Sequence, residues 1–66
     1  MLEVELKNGE FVLLFINHIS SIEDLTVEED TASLIVMNNG KSYVSLVNYM
    51  DLKDSLLQFY SGSKNE

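Results

Sequence analysis

The hydrophobic pattern at the start of the chain predicts a β-hairpin. Apolar and polar residues alternate over residues 2–7, which is typical of a strand with one buried face, and residues 11–16 form a continuous apolar run. Between the two segments lie Asn8 and Gly9, which are favoured in the two-residue type I′ turns of hairpins. A two-residue turn sets the register so that Leu6 faces Phe11.

This register divides the side chains of the hairpin between two faces. The buried face consists of six apolar residues: Leu2, Val4, Leu6, Phe11, Leu13 and Phe15. The opposite face carries three apolar side chains beside two carboxylates: Val12, Leu14, Ile16, Glu3 and Glu5. An apolar row on an outer face needs cover. The second set is therefore predicted to be an interaction surface.

A second hairpin is predicted in the middle of the chain. Residues 31–37 are apolar and β-branched, and Asn39 and Gly40 return the chain through residues 41–46. The same turn geometry predicts that Val36 faces Tyr43.

The segment between the two hairpins has a weaker pattern. Asn17 and His18 suggest a bend, and the spacing of Ile19 and Ile22 suggests a helical turn. The remainder of residues 19–27 suggests a short strand.

One helix is predicted at the C-terminus. Asn48 suits the N-cap, and Asp51 falls in the first turn, where a carboxylate favours the free N–H groups. Leu52 and Leu56 belong to an apolar stripe at helical spacing, and Gly62 is predicted to end the helix.

Together these elements predict an α+β fold: a small antiparallel sheet of two Asn-Gly hairpins, with four to five strands, and one C-terminal helix packed on one face. Residues 1–62 form a single domain and residues 63–66 a frayed tail. One helix covers one face of such a sheet. The other face is buried either by curling into a small barrel or by a second chain, and the second chain is favoured. We therefore expect a homo-oligomer, with a dimer favoured, or a different protein partner.

Composition and charge narrow the classes of function. The 66 residues include no cysteine, one histidine and no arginine, and the net charge is −7. No disulfide or thiolate metal site is possible, and we expect no cofactor and no metal. Nucleic acid and anionic membranes are disfavoured as ligands, whereas a basic partner is favoured. No apolar run is long enough to span a membrane and no signal peptide is evident, so we expect a cytoplasmic protein.

The candidate chemistry is sparse. His18 is the one classical general base, and the nearby serines lack a nucleophile elbow, so we expect no enzyme activity. The densest acidic group does not fit the ligand spacing of a calcium loop, and it is predicted to be a solvated docking patch. This acidic docking patch comprises Glu23, Asp24, Glu28, Glu29 and Asp30.

The order of these residues resembles a known family. The chain is similar to the small flagellar FlbD/SwrD family in the order of its motifs. These are Leu6 to Gly9, Phe11, Ile22-Glu23, a strand containing Thr31, Asn39 to Val44 and a helix ending near Phe59-Tyr60. The resemblance spans nearly the whole chain and implies an accessory role in flagellar motor power and swarming.

We therefore expect a non-catalytic protein–protein interaction module that self-associates through its apolar sheet face. The alternative is an acidic inhibitor, of the type found in phages or mobile elements, that mimics nucleic-acid charge. Such an inhibitor would block a basic nucleic-acid-binding protein.

Overall fold

The computed structural model describes residues 1–64, with side chains described as far as residue 61. It contains five strands and one helix: β1 (Leu2–Glu5), β2 (Phe11–Leu14), β3 (Ile19–Asp24), β4 (Ser33–Met37), β5 (Ser42–Ser45) and α1 (Tyr49–Lys64). A single 3-10 turn, Ile16–His18, precedes β3. The α+β fold class predicted from the sequence is confirmed.

The strands form two small antiparallel sheets joined at one point. β1 pairs with β2, and β4 lies between β3 and β5 in the second sheet. An antiparallel bridge between Leu6 and Ser45 joins β1 to β5. Next to it, the N–H of Lys7 donates to the carbonyl of Val44 at 3.0 Å. The two hairpins are thereby held side by side.

Two buried serines reinforce this junction. The Ser33 hydroxyl donates to the carbonyl of Val47 at 2.8 Å, and the Ser45 hydroxyl donates to the carbonyl of Glu5 at 3.2 Å. Both side chains are fully buried, where an unpaired hydroxyl would be costly. The Ser45 bond joins the second sheet to β1, and the Ser33 bond holds the segment between β5 and α1 against β4.

The first Asn-Gly loop contains three residues rather than two. The N–H of Leu6 donates to the carbonyl of Glu10 at 2.7 Å, and the N–H of Gly9 donates back to Leu6 at 2.9 Å. Gly9 has a φ of 90°, whereas the φ of Asn8 is not positive. A type I′ turn needs positive φ at both residues, so this loop is instead the three-residue type that ends in a left-handed glycine.

The second Asn-Gly loop has the same geometry. The N–H of Met37 donates to the carbonyl of Lys41 at 2.8 Å, and the N–H of Gly40 donates to the carbonyl of Met37 at 3.0 Å. Gly40 again has a φ of 90°. In both loops the asparagine side chain accepts a hydrogen bond from the N–H two residues later. The two loops are therefore equivalent local structures.

Both predicted registers are wrong by one residue for this reason. Phe11 lies opposite Glu5 and not Leu6, and Val36 lies opposite Ser42 and not Tyr43. Because side chains alternate between the faces of a strand, a shift of one residue turns every side chain of the second strand over.

The shift reverses the predicted faces of β2. Leu14 is 4% exposed and Ile16 is buried, while Val12 is half-buried against the core. These three residues were predicted to form an outer surface, and that placement is wrong. Leu14 and Val12 pack with core residues of the second hairpin and the helix, and Ile16 is buried as well. The central core comprises Val4, Leu14, Ile35, Met37 and Leu52.

β3 begins where a helical turn was predicted. Ile19 and Ile22 are three residues apart, and both pack against the core. The register shifts between Ile19 and Ser21, as at a β-bulge. An extra residue lets side chains three apart share one face of a strand. The prediction of a helical turn at Ile19 and Ile22 is therefore wrong. The 3-10 turn lies earlier in the chain, at Ile16–His18.

α1 begins as predicted and ends later than predicted. The Asn48 side chain accepts the N–H of Met50 at 2.7 Å, which is the expected N-cap bond. Leu52 anchors the helix in the core, and the helix packs against β3. The helix continues past Gly62 to Lys64, so the predicted end at Gly62 is wrong. Of the predicted tail, residues 65 and 66 lie outside the described residues.

Candidate interaction surface

The outward face of β2 carries three large apolar side chains. Phe11 is 65% exposed, Leu13 is 55% exposed, and Phe15, directly after the strand, is 56% exposed. Their alternate spacing places them on one face of the extended chain. We call this row, together with Glu3 and Glu5, the β2 face.

Two carboxylates of β1 border this row. Glu3 lies opposite Leu13 and Glu5 lies opposite Phe11. Directly opposed residues of an antiparallel pair have Cβ atoms about 5 Å apart on the same face. Glu3 and Glu5 are exposed, as was predicted, but their neighbours are different from the predicted ones. The surface is therefore apolar along β2 and acidic along β1.

Phe15 and His18 meet at one end of the β2 face. Their rings stack edge to face with centroids 6.0 Å apart. The His18 Nδ1 lies 3.3 Å from the Asn38 amide nitrogen, and the His18 carbonyl accepts the Asn38 N–H at 2.8 Å. The described contacts of His18 are thus those of a structural residue that ties the 3-10 turn to β4.

The predicted acidic docking patch lies at the far end of β3. Its five carboxylate residues, Glu23, Asp24, Glu28, Glu29 and Asp30, are all exposed. Val27 and Asp30 exchange hydrogen bonds of 3.1 and 2.9 Å, so Glu28 and Glu29 form a two-residue hairpin loop. Within residues 1–64, no group of three or more acidic or histidine side chains is arranged to hold a metal ion.

Asp24 holds the base of this acidic loop. Its carboxylate accepts the N–H of Thr26 at 2.9 Å. The backbone bond and a further side-chain bond from Thr26 lower the pKa of Asp24. The Thr26 hydroxyl in turn bonds the backbone of Ala32 across the loop. The carboxylate is therefore ionised at neutral pH and shapes the loop.

A shallow, open depression lies where the two hairpins meet. Its volume is ≈ 440 Å³, and it is lined by Leu6, Lys7, Asn8, Glu10, Ser42, Tyr43 and Val44. Its polar lining residues come from the first turn and from the start of β5, and the depression is open rather than enclosed. A site for a small ligand needs a few convergent polar groups in an enclosed pocket.

Phe11, Leu13 and Phe15 were predicted to lie in the core, and that placement is wrong. The prediction rested on a two-residue turn at Asn8-Gly9, where the structure has a three-residue loop. The apolar run over residues 11–16 does not indicate which face of the strand is buried, because both faces are apolar. A three-residue loop also places Asn-Gly at its last two positions, so the dipeptide alone does not distinguish the two loop lengths.

Comparison with protein-family models, with curated proteins and with solved structures finds no match for this chain. The resemblance to the FlbD/SwrD family therefore stays a prediction. Among the described residues, no helix is both long and apolar enough to cross a membrane.

Proposed function

We propose that this chain is a non-catalytic protein–protein interaction module that binds through the β2 face. The observation that carries the proposal is the exposure of Phe11, Leu13 and Phe15, each more than half accessible and all on one side. Contiguous apolar patches bordered by polar residues mark interaction sites on soluble proteins. Aromatic side chains are also enriched at the centres of interfaces.

The placement of this row argues for a binding role over a packing role. The same strand contributes Leu14 to the core, so β2 has already buried one apolar face. Folding does not require the second face to be apolar. In this proposal the module acts in the cytoplasm as a small accessory or regulatory factor, in line with the resemblance to flagellar proteins.

A matched pair of leucines tests the proposal. Leu13 and Leu57 are equally exposed, at 55% and 54%, but Leu57 lies on α1. A photo-crosslinking residue introduced at position 13 should yield a protein adduct in host cells, whereas the same residue at position 57 should not. Adducts at position 57 alone, or at neither position, would contradict a binding role for the β2 face.

A second candidate function is the acidic inhibitor of a basic nucleic-acid-binding protein. The observation that favours it is the exposure of all five carboxylates of the acidic docking patch, which lie at the end of β3 and in the loop that follows. Replacing Glu28, Glu29 and Asp30 together by lysine should then abolish capture of such a partner. Capture should also fall steeply with added salt. Capture that survives high salt would exclude charge mimicry.

A further inference from the structure

The β2 face lies on an open strand edge. Within residues 1–64, β2 pairs with β1 on one side and with no other strand. An open edge presents unpaired backbone N–H and C=O groups, to which another extended chain can add. The position of these groups along β2 follows from the register.

Phe11 and Leu13 supply the free backbone groups of this edge. The bond from the Leu6 N–H to the Glu10 carbonyl marks that pair as a hydrogen-bonded one. Such pairs alternate along an antiparallel ladder, so Phe11 and Leu13 occupy non-hydrogen-bonded positions relative to β1. Their N–H and C=O groups therefore point away from β1. The same two residues offer exposed side chains and open backbone groups.

The side chains of an added strand would lie beside this apolar row. Residues opposite Phe11 and Leu13 would share their face, while Glu3 and Glu5 would lie two strand spacings away, about 9–10 Å. A Lys or Arg stem can cover an apolar side chain and place its cation toward a carboxylate beyond it. An arginine above Phe11 would also gain a cation–π contact. Alternate basic residues therefore fit this face.

Charge and area argue against a second copy of the chain as the occupant. A second copy carries the same net charge of −7, so two copies repel one another. Three half-exposed side chains offer on the order of 300 Å², compared with about 800 Å² per partner in a stable interface. A single strand needs less area because its main-chain hydrogen bonds add affinity.

We infer that the β2 face binds an extended cationic segment of another protein, which adds to the edge of β2 as a further strand. Its residues alternate basic, apolar, basic. The basic residues lie opposite Phe11 and Leu13, and the apolar residue lies on the inner side next to the half-buried Val12. The inference rests on the proposed function and specifies its partner.

The test uses three short capped peptides and the full-length chain. The probe alternates arginine and valine, one control alternates glutamate and valine, and the other is the arginine peptide with N-methylated amides on the edge that pairs. Binding is measured by fluorescence anisotropy. We expect the arginine peptide to bind, the glutamate peptide to fail, and N-methylation to weaken binding at least about tenfold, because it removes the main-chain bonds.

Variants of the chain separate the backbone edge from the charge. Leu13→Pro removes the outward N–H, and proline is tolerated on an edge strand at such a position. We expect it to abolish peptide binding while the chain stays folded, as judged by circular dichroism. Glu5→Lys should weaken binding about tenfold or more, whereas Asp54→Lys on α1, a charge reversal of equal size, should change it less than about twofold.

Amide hydrogen exchange locates the contact. Bound peptide should slow exchange at Phe11 and Leu13 but not at Val12, whose amide β1 already protects. Binding without protection at these two amides would overturn strand addition. Protection without peptide, with a doubled mass in light scattering, would show that a second copy is the occupant and would also overturn the inference. Absence of arginine-peptide binding would do the same. None of these results changes the crosslink expected at position 13. That experiment tests the proposed function separately.

Discussion

The two Asn-Gly hairpins have the same loop but present different surfaces. Each is closed by a three-residue loop ending in a glycine with a φ of 90°, and each has its register shifted by one residue from a two-residue turn. The strand after each loop has the same burial pattern, with its first and third residues exposed. These residues are the large and apolar Phe11 and Leu13 in β2, but Ser42 and Val44 in β5.

This comparison separates two causes. The sequence around each asparagine determines the loop and hence which side chains of the hairpin share a face. The residue types at the outward positions then determine the surface that results. Phe11 and Leu13 make the outward face of β2 apolar, whereas the outward face of β5 carries Ser42 and Val44.

The largest expected effect concerns the core that the two hairpins share. Leu52, 1% exposed, belongs to one core cluster with residues of both hairpins, so Leu52→Ala should lower the free energy of unfolding by about 2–5 kcal/mol. The exposed Leu57 of the same helix provides the control, with an expected loss under about 0.5 kcal/mol. Urea denaturation monitored by circular dichroism measures both. Equal losses would mean that the helix does not anchor a common core.

The next effect tests whether the two loops are equivalent. Gly9→Ala and Gly40→Ala should each lower stability by about 1–2 kcal/mol, because alanine is strained at a positive φ. A Cβ at either position would meet no atom within 4 Å, so sterics with neighbours add nothing. Asn8→Ala should cost less, since its φ is not positive. Equal losses at Asn8 and Gly9 would instead indicate a type I′ turn.

A smaller effect of opposite sign is expected in the acidic loop. Among residues 1–64, Glu28 is the one non-glycine residue with a positive φ, 55°. Glu28→Gly should relieve this strain, which stabilises the folded chain. Because glycine also has greater freedom in the unfolded chain, the net rise in the free energy of unfolding should be only about 0.5 kcal/mol. Glu29→Gly should lower it. A loss of stability from Glu28→Gly would contradict the left-handed turn.

The smallest effect is the pH dependence of the same loop. The pKa of Asp24 is lowered from 3.8 by the bonds from Thr26, so the folded chain binds this proton less readily than the unfolded chain. The resulting stabilisation is present above the unfolded pKa and is lost as the pH falls through the lower folded pKa. Compared with the unsubstituted chain, Asp24→Asn should flatten the acid limb of the stability profile, because it removes this carboxylate. Identical profiles would show that the Thr26 bonds are not formed in solution.

Much of the fold could be predicted from the sequence because its signals are local. Asn-Gly between apolar runs indicates a hairpin, and Asn48 before an apolar stripe indicates a helix start. The predicted registers failed because Asn-Gly is compatible with both two- and three-residue loops. The apolar run after Gly9 leaves both faces hydrophobic, so the pattern does not penalise the wrong choice.

The predicted interaction surface was wrong because it depended on the predicted register. Val12, Leu14 and Ile16 were assigned to the surface on the predicted register, and the true register replaces them with Phe11, Leu13 and Phe15. The flanking residues Glu3 and Glu5 stayed exposed because they lie on the strand before the turn, whose alternation is unambiguous. The bulge in β3 and the loop at Glu28 likewise depend on pairing between strands, which a local pattern does not encode.

The register of the first hairpin is the claim on which the β2 face depends, and two neighbouring leucines test it most directly. Leu13→Ala and Leu14→Ala remove the same atoms from adjacent positions of one strand, and urea denaturation measures the free energy of unfolding of each. The structure predicts a loss of about 2–5 kcal/mol for Leu14→Ala and under about 0.5 kcal/mol for Leu13→Ala. The reverse order would restore the two-residue turn and place Phe11, Leu13 and Phe15 in the core.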